Sequence, residues 1–137
     1  MNLHPGDIVV VDASVMVTKN AGTIITERLL KKRAILVVSN ELLSEYRRNV
    51  AKAGYSPAAL EKFRLERLKR HGLLFHIKDE KLKKIVPENM PDHHVGNLVA
   101  TVNAKALVIH NKKATQKLKN CFNLPVVNMR EFLDCRA

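Results

Sequence analysis

Ile8-Val9-Val10-Val11-Asp12-Ala13-Ser14 is the stretch that decides the fold. Four consecutive β-branched residues leave neither side of a strand polar, so both faces must be covered, as in a parallel sheet flanked by helices. The run stops at Asp12. Working outward, Ala34-Ile35-Leu36-Val37-Val38, Leu73 to Ile77, Ala106-Leu107-Val108-Ile109 and Leu124-Pro125-Val126-Val127 have the same character. The proline in the last of these predicts a short or edge strand. Between the strands lie helical patterns. Thr23 to Arg33 ends in a basic cluster that complements a helix dipole. Ser39 stands where an N-cap belongs, ahead of a Leu42, Tyr46, Val50, Ala53 stripe closed by Gly54. Ser56-Pro57 opens a helix that Gly72 closes, with Leu60, Phe63 and Leu68 expected inward and Lys62, Arg64, Arg67, Lys69 and Arg70 outward. A Lys-rich helical piece is expected over Asp79 to Ile85, then a loop punctuated by Pro87 and Pro91. Asp92 heads a helix in which Val95, Leu98, Val99 and Val102 recur at core-facing spacing. A basic helix around Lys112 to Lys119 and a last helix from Met129 to Cys135 complete the chain. Strands alternating with helices predict a three-layer α/β/α sandwich with a central parallel sheet and right-handed crossovers.

Length and composition agree with one domain spanning 1–137. The 137 residues are 46% hydrophobic and 27% charged, the balance of a globular chain that can bury roughly two thirds of its unfolded surface without metal or disulfide staples. Cys121 and Cys135 form no Cys-x-x-Cys pair, so neither a zinc site nor a disulfide framework is suggested, and buried thiols are the expectation. Charge is the unusual quantity. With 24 Lys and Arg against 13 Asp and Glu, the chain carries +11, a field that attracts polyanions such as nucleic acid or an anionic membrane surface. No apolar run is long enough for a membrane span, and the N-terminus lacks the regions of a signal peptide, so an intracellular, cytoplasmic protein is expected.

In open parallel sheets, ligands sit beyond the carboxyl ends of the strands. Asp12 ends the first strand, Asp92 precedes the helix before strand four, and Glu45 lies in the helix after strand two. Helix geometry sets Glu45 about 60° round from Leu42, at the margin of the apolar stripe. Each acid alone has an ordinary explanation as turn former, cap or surface ion-pair member. Together, three converging carboxylates repel one another and need a cation to stay ionised, and hard oxygen donors point to Mg²⁺ or Mn²⁺. The three histidines His93, His94 and His110 lie near these acids but include no His-x-x-x-His helical pair of the kind zinc sites use.

These residues resemble the PIN domain nucleases, and within them the PIN toxins of prokaryotic toxin and antitoxin pairs. Val10-Val11-Asp12-Ala13-Ser14-Val15 is similar to the family's opening strand and Asp-x-Ser/Thr turn. Val38 to Tyr46 is similar to its second acidic segment, with Glu45 as the acid. Asp92-His93-His94-Val95 resembles the Asp-x-His-Val signature of one branch, and Asn111 follows 19 residues later. Ile109 stands where the family usually has Thr or Ser. The resemblance implies a metal-dependent endoribonuclease in which Asp12, Glu45 and Asp92 hold the cation, with Asn111 as an auxiliary ligand or water positioner. His94 would support structure or substrate. It further implies an antitoxin protein and a second copy of the chain as partners.

Ser14 can fix the rotamer of an acidic ligand by hydrogen bonding, and ordinary turn capping explains it equally well. For RNA, the basic residues Arg48, Arg64, Arg67, Lys112 and Lys113 are the expected phosphate contacts. Only 4% of residues are aromatic, so stacking is a poor source of affinity and binding should weaken steeply with salt. A PIN-like RNA-binding protein without turnover is the alternative. A haloacid-dehalogenase-like reading of Asp12 fails because that chemistry wants an Asp where Ser14 stands.

Overall fold

The structure is a computed structural model that describes residues 1–90 and 92–134. Its centre is a five-stranded, wholly parallel sheet built from β1 (Ile8–Val11), β2 (Ile35–Ser39), β3 (Leu74–Ile77), β4 (Ala106–Val108) and β5 (Val126–Val127), in the spatial order β3-β2-β1-β4-β5. Val9, Val10 and Val11 are all fully buried. Because successive strand side chains point to opposite faces, both faces of β1 are covered, as its apolar run requires. The α/β sandwich follows. The expected proline-limited strand is an edge, β5, of two residues.

Helices α1 (Ala13–Met16), α2 (Lys19–Lys32) and α3 (Asn40–Asn49) connect the first half of the sheet. Ser39 caps α3 by accepting from the Leu42 amide at 3.1 Å, as the sequence signals. Leu42, Tyr46 and Val50 are fully buried along its inner stripe. The next helix runs from α4 (Pro57–Leu60) through a π-helical turn, Glu61–Leu65, into α5 (Glu66–Arg70). Gly72, with φ 70°, supplies the left-handed residue that releases the chain into β3.

That π turn overturns one sequence expectation. Its wider i→i+5 spacing shifts the buried stripe, so Phe63 is 54% exposed while Arg64 is 1% exposed. The Arg64 guanidinium donates to the backbone oxygens of Met16, Thr18 (2.8 Å) and Lys19 (2.9 Å) and to the Thr23 hydroxyl (2.9 Å), and it lies 3.8 Å from the centroid of the Tyr55 ring. Gly22 makes room for it. A Cβ there would clash with the guanidinium and the Met16 carbonyl.

Asp79 to Ile85 also departs from expectation, forming only a short 3₁₀ turn, Asp79–Lys81. The segment after it is pinned to α6 (His93–Val102) instead. The Asn97 side-chain oxygen accepts from the amides of Ile85 (2.9 Å) and Val86 (2.8 Å), and the Thr101 hydroxyl accepts from that of Lys83 (2.8 Å). Those bonds satisfy backbone groups that a helix would otherwise pair. Helices α7 (Lys112–Phe122) and α8 (Met129–Leu133) complete the fold. Cys121 is exposed instead of buried. Pro91 and Cys135 lie outside the described residues. No helix among the described residues is long and apolar enough to cross a membrane.

Candidate metal centre

Strand order reverses between β1 and β4, the point where parallel sheets open a crevice beyond their carboxyl ends. Asp12 is fixed there, its amide donating to the Val108 carbonyl at 2.9 Å. It is 6% exposed. Its Oδ2 accepts from the Ser14 hydroxyl at 2.6 Å and, more weakly, from the Ser14 amide at 3.3 Å. Ser14 therefore holds the rotamer, and the same contacts close the turn into α1. Oδ1 is buried and has no hydrogen-bond partner. A buried carboxylate oxygen without a partner costs about 1–3 kcal/mol or more, so it marks a place where an external donor or cation would be welcome.

Glu45 comes from α3. The next residue, Tyr46, is fully buried and donates its hydroxyl to the Val11 carbonyl, which ties α3 to the end of β1 beside Asp12. Glu45 Oε1 lies 2.8 Å from His94 Nε2. The hydrogen bond from His94 holds the Glu45 carboxyl below its usual range, against the opposing effect of burial. Burial would lower the His94 imidazole, but the bond to Glu45 and the charges of Glu45, Glu41 and Asp12 outweigh it and raise its pKa. The other ring nitrogen, Nδ1, is buried without a partner.

Asp92 precedes α6 in a left-handed conformation, φ 60° and ψ 25°, and makes no side-chain capping bond. The simple cap explanation of this residue therefore fails, and its carboxylate stays available. Burial, followed by the negative charge of Asp12, pushes its pKa up to about 6, with Glu45 adding to the shift and the two neighbouring histidines opposing it. Asp12, Ser14, Glu45, Arg48, Lys52 and Asp92 line one open cleft of about 470 Å³. Among the described residues, no three His, Cys, Asp or Glu side chains are drawn close enough to hold a metal ion as they stand. Glu45 is turned towards His94.

The remaining sequence-derived residues divide clearly. Arg48 lines the cleft and donates to Glu41 at 3.3 Å. Arg64 is a correction: its guanidinium is sealed inside and spent on backbone carbonyls, so it cannot contact RNA. Arg67 pairs with Glu27 away from the cleft. Asn111 caps α7, its Oδ1 accepting from the amides of Lys113 (3.0 Å) and Ala114 (3.2 Å), and with exposed Lys112 and Lys113 it lies outside the cleft lining. Ile109 is fully buried. Two residues with a part in the site were not singled out for it in the sequence. Lys52, one turn beyond Arg48, was recoverable from its i+4 spacing. Tyr46 read only as part of an apolar stripe, because nothing in that pattern marks a hydroxyl aimed at a strand end.

No protein-family signature and no curated protein matches the chain. Solved structures do. A PilT N-terminus (PIN) domain protein from the hyperthermophilic archaeon Sulfolobus solfataricus P2 superposes with a TM-score of 0.57 over 92% of this chain and 90% of that one, at 16% sequence identity. The fold is that of a PIN domain. At that identity the likeness establishes architecture, and the chemistry must be argued from the side chains.

Proposed function

We propose that this protein is a metal-dependent ribonuclease of the PIN kind, a phosphodiesterase that hydrolyses RNA. The observation that carries the proposal is the cleft at the β1/β4 reversal, where Asp12, Glu45 and Asp92 face one space and a buried Asp12 oxygen has no partner. The donor chemistry suits a hard divalent cation, although the three carboxylates must draw closer than they stand to share one. All three groups offer carboxylate oxygen, Asp12 and Glu45 raise the cost of ionising Asp92, and a cation would relieve that cost. Asp12, Glu45 and Asp92 would hold Mg²⁺ or Mn²⁺, which when bound polarises a phosphoryl oxygen and acidifies water for in-line attack.

The protein's own residues do the rest. Ser14 fixes Asp12 so that Oδ1 stays turned away from its own hydroxyl. Tyr46 keeps Glu45 and Asp12 on connected elements. Arg48 and Lys52 put positive charge on the rim, where a phosphate would be drawn towards an otherwise acidic floor. Such a mechanism needs no RNA 2′ hydroxyl and leaves 5′ phosphate and 3′ hydroxyl ends. An antitoxin protein, a second copy of the chain and a cytoplasmic setting accompany this proposal, supported by the resemblance to PIN toxins.

A non-cleaving RNA-binding module is the alternative, favoured by the Glu45–His94 bond and by an Asn111 oxygen already spent on α7. Incubation of single-stranded RNA with Mn²⁺ separates the two. Cleavage that disappears in Asp12→Asn and Asp92→Asn supports the nuclease; retained binding with no cleavage by the wild type supports the module.

A further inference from the structure

A second hollow of about 280 Å³ adjoins the carboxylate cleft. Its walls include Lys83, Lys84, Glu88, His93, Glu41 and Asp79. Two bonded pairs straddle the boundary between the hollows. Glu45 lines the first and bonds His94 of the second, and Arg48 lines the first and bonds Glu41 of the second. Residues 41, 45 and 48 recur at helical spacing, so one face of α3 forms the low ridge between two contiguous depressions.

We infer that this second hollow is a nucleotide subsite of the same RNA-binding surface, taking the residue next to the scissile phosphate and favouring guanine. The inference rests on the ribonuclease proposal for its position but not for its chemistry. A strand laid across the α3 ridge meets Lys52 on one side, with Arg48 beside it on Glu41, and Lys83 and Lys84 on the other, so positive charge is available to successive phosphates. The two lysines are exposed yet mounted on a fixed segment. Asn97, 7% exposed, holds the amides of Ile85 and Val86, and Thr101 holds that of Lys83.

The acids give the base preference. Asp79 is engaged with the α3 amides of Asn40 (2.8 Å) and Glu41 (3.4 Å), and Glu41 with Arg48. Exposed Glu88 is left to meet a ligand. A carboxylate presents two acceptors side by side, and the Watson–Crick edge of guanine presents two adjacent N–H donors, whereas adenine and cytosine offer one amino group and uracil one imide. With phosphates on lysines and a donor-rich edge on Glu88, the mixed charge of the hollow is what a nucleotide requires.

The test is fluorescence anisotropy with labelled uridine decamers carrying one central guanosine or one central adenosine, in EDTA so that binding is read without cleavage. Lys83→Ala with Lys84→Ala should weaken binding on the order of tenfold and reduce the slope against log salt by ~1.4, the value for two phosphate contacts on a single strand. A charge-matched control, Lys31→Ala with Arg70→Ala at positions remote from both hollows, should lose much less. The guanosine decamer should bind the wild type several-fold more tightly, and Glu88→Gln should erase that ratio between the two decamers. Equal losses in the two double variants, or no guanosine preference in the wild type, overturns the subsite. Wild-type cleavage with Mn²⁺ is scored separately, so RNA cleavage without these effects sinks the subsite alone, and these effects without cleavage sink the nuclease and the subsite's place beside a scissile phosphate while leaving a guanine-preferring RNA-binding hollow.

Discussion

The two sides of the carboxyl rim are built differently. On the β1 and α3 side, polar groups interlock. Ser14 holds Asp12, Tyr46 holds the end of β1, His94 holds Glu45, and Arg64 gathers the carbonyls that follow α1. On the β4 and α7 side, Ile109 is buried and silent, and Asn111 looks outward and caps its own helix. Asp12, Glu45 and Asp92 therefore line one cleft in which the first two are held by hydrogen bonds, while Asn111, the fourth position expected from the family resemblance, serves its own helix.

Substitutions on the two sides should therefore behave differently. Asp12→Asn keeps the size and the Ser14 contact but removes the charge, and RNA cleavage should fall by at least ~10³ with little change in unfolding midpoint, read by single-turnover assay and urea titration. Arg64→Met should cost about 3 kcal/mol or more in denaturant titrations, because buried carbonyls of Met16, Thr18 and Lys19 lose their donor. If it costs no more than a surface arginine, the interlocked side is not what holds the cleft.

Asp92→Asn should abolish cleavage yet stabilise the fold near pH 7 by on the order of 1 kcal/mol once solvent screening is allowed for. The sign follows from a pKa raised to about 6 in the fold from 3.8. Between those values the native state binds more protons than the unfolded one, so wild-type stability declines as pH rises from 4 to above 6. Asparagine tolerates the left-handed conformation and has no charge to strain, so the gain should be full at pH 7 and vanish by pH 4. A pH-independent difference contradicts this. On the other side of the rim, Asn111→Ala should cost about 1 kcal/mol as a lost cap, with cleavage within about twofold of wild type; a large loss of activity would make Asn111 part of the chemistry after all.

Much of this was legible in the sequence. Val9 to Val11, the Ser39 cap and Gly72 each carry a local physical signal, and β1, α3 and the turn before β3 follow from it. Asp12, Glu45 and Asp92 were legible because a parallel sheet directs the ends of its strands to one rim. What escaped depends on contacts between distant segments. Arg64 looked like one more cation on a basic helix, since a π turn has no pattern of its own, although Gly22 inside α2 was a sign that something approaches closely. Asp79 to Ile85 had helical composition, but Asn97 and Thr101 offer its backbone better partners. The Glu45–His94 bond joins residues 49 apart in sequence and has no local signature.

Titration of Mn²⁺ into the protein, followed by calorimetry at pH 6 in buffers of different ionisation enthalpy, addresses the central claim most directly. One saturable site is expected whose filling releases protons, since the Asp92 carboxyl is partly protonated there, with that site lost in both Asp12→Asn and Asp92→Asn. Equal, weak and proton-neutral uptake by wild type and both variants would contradict it.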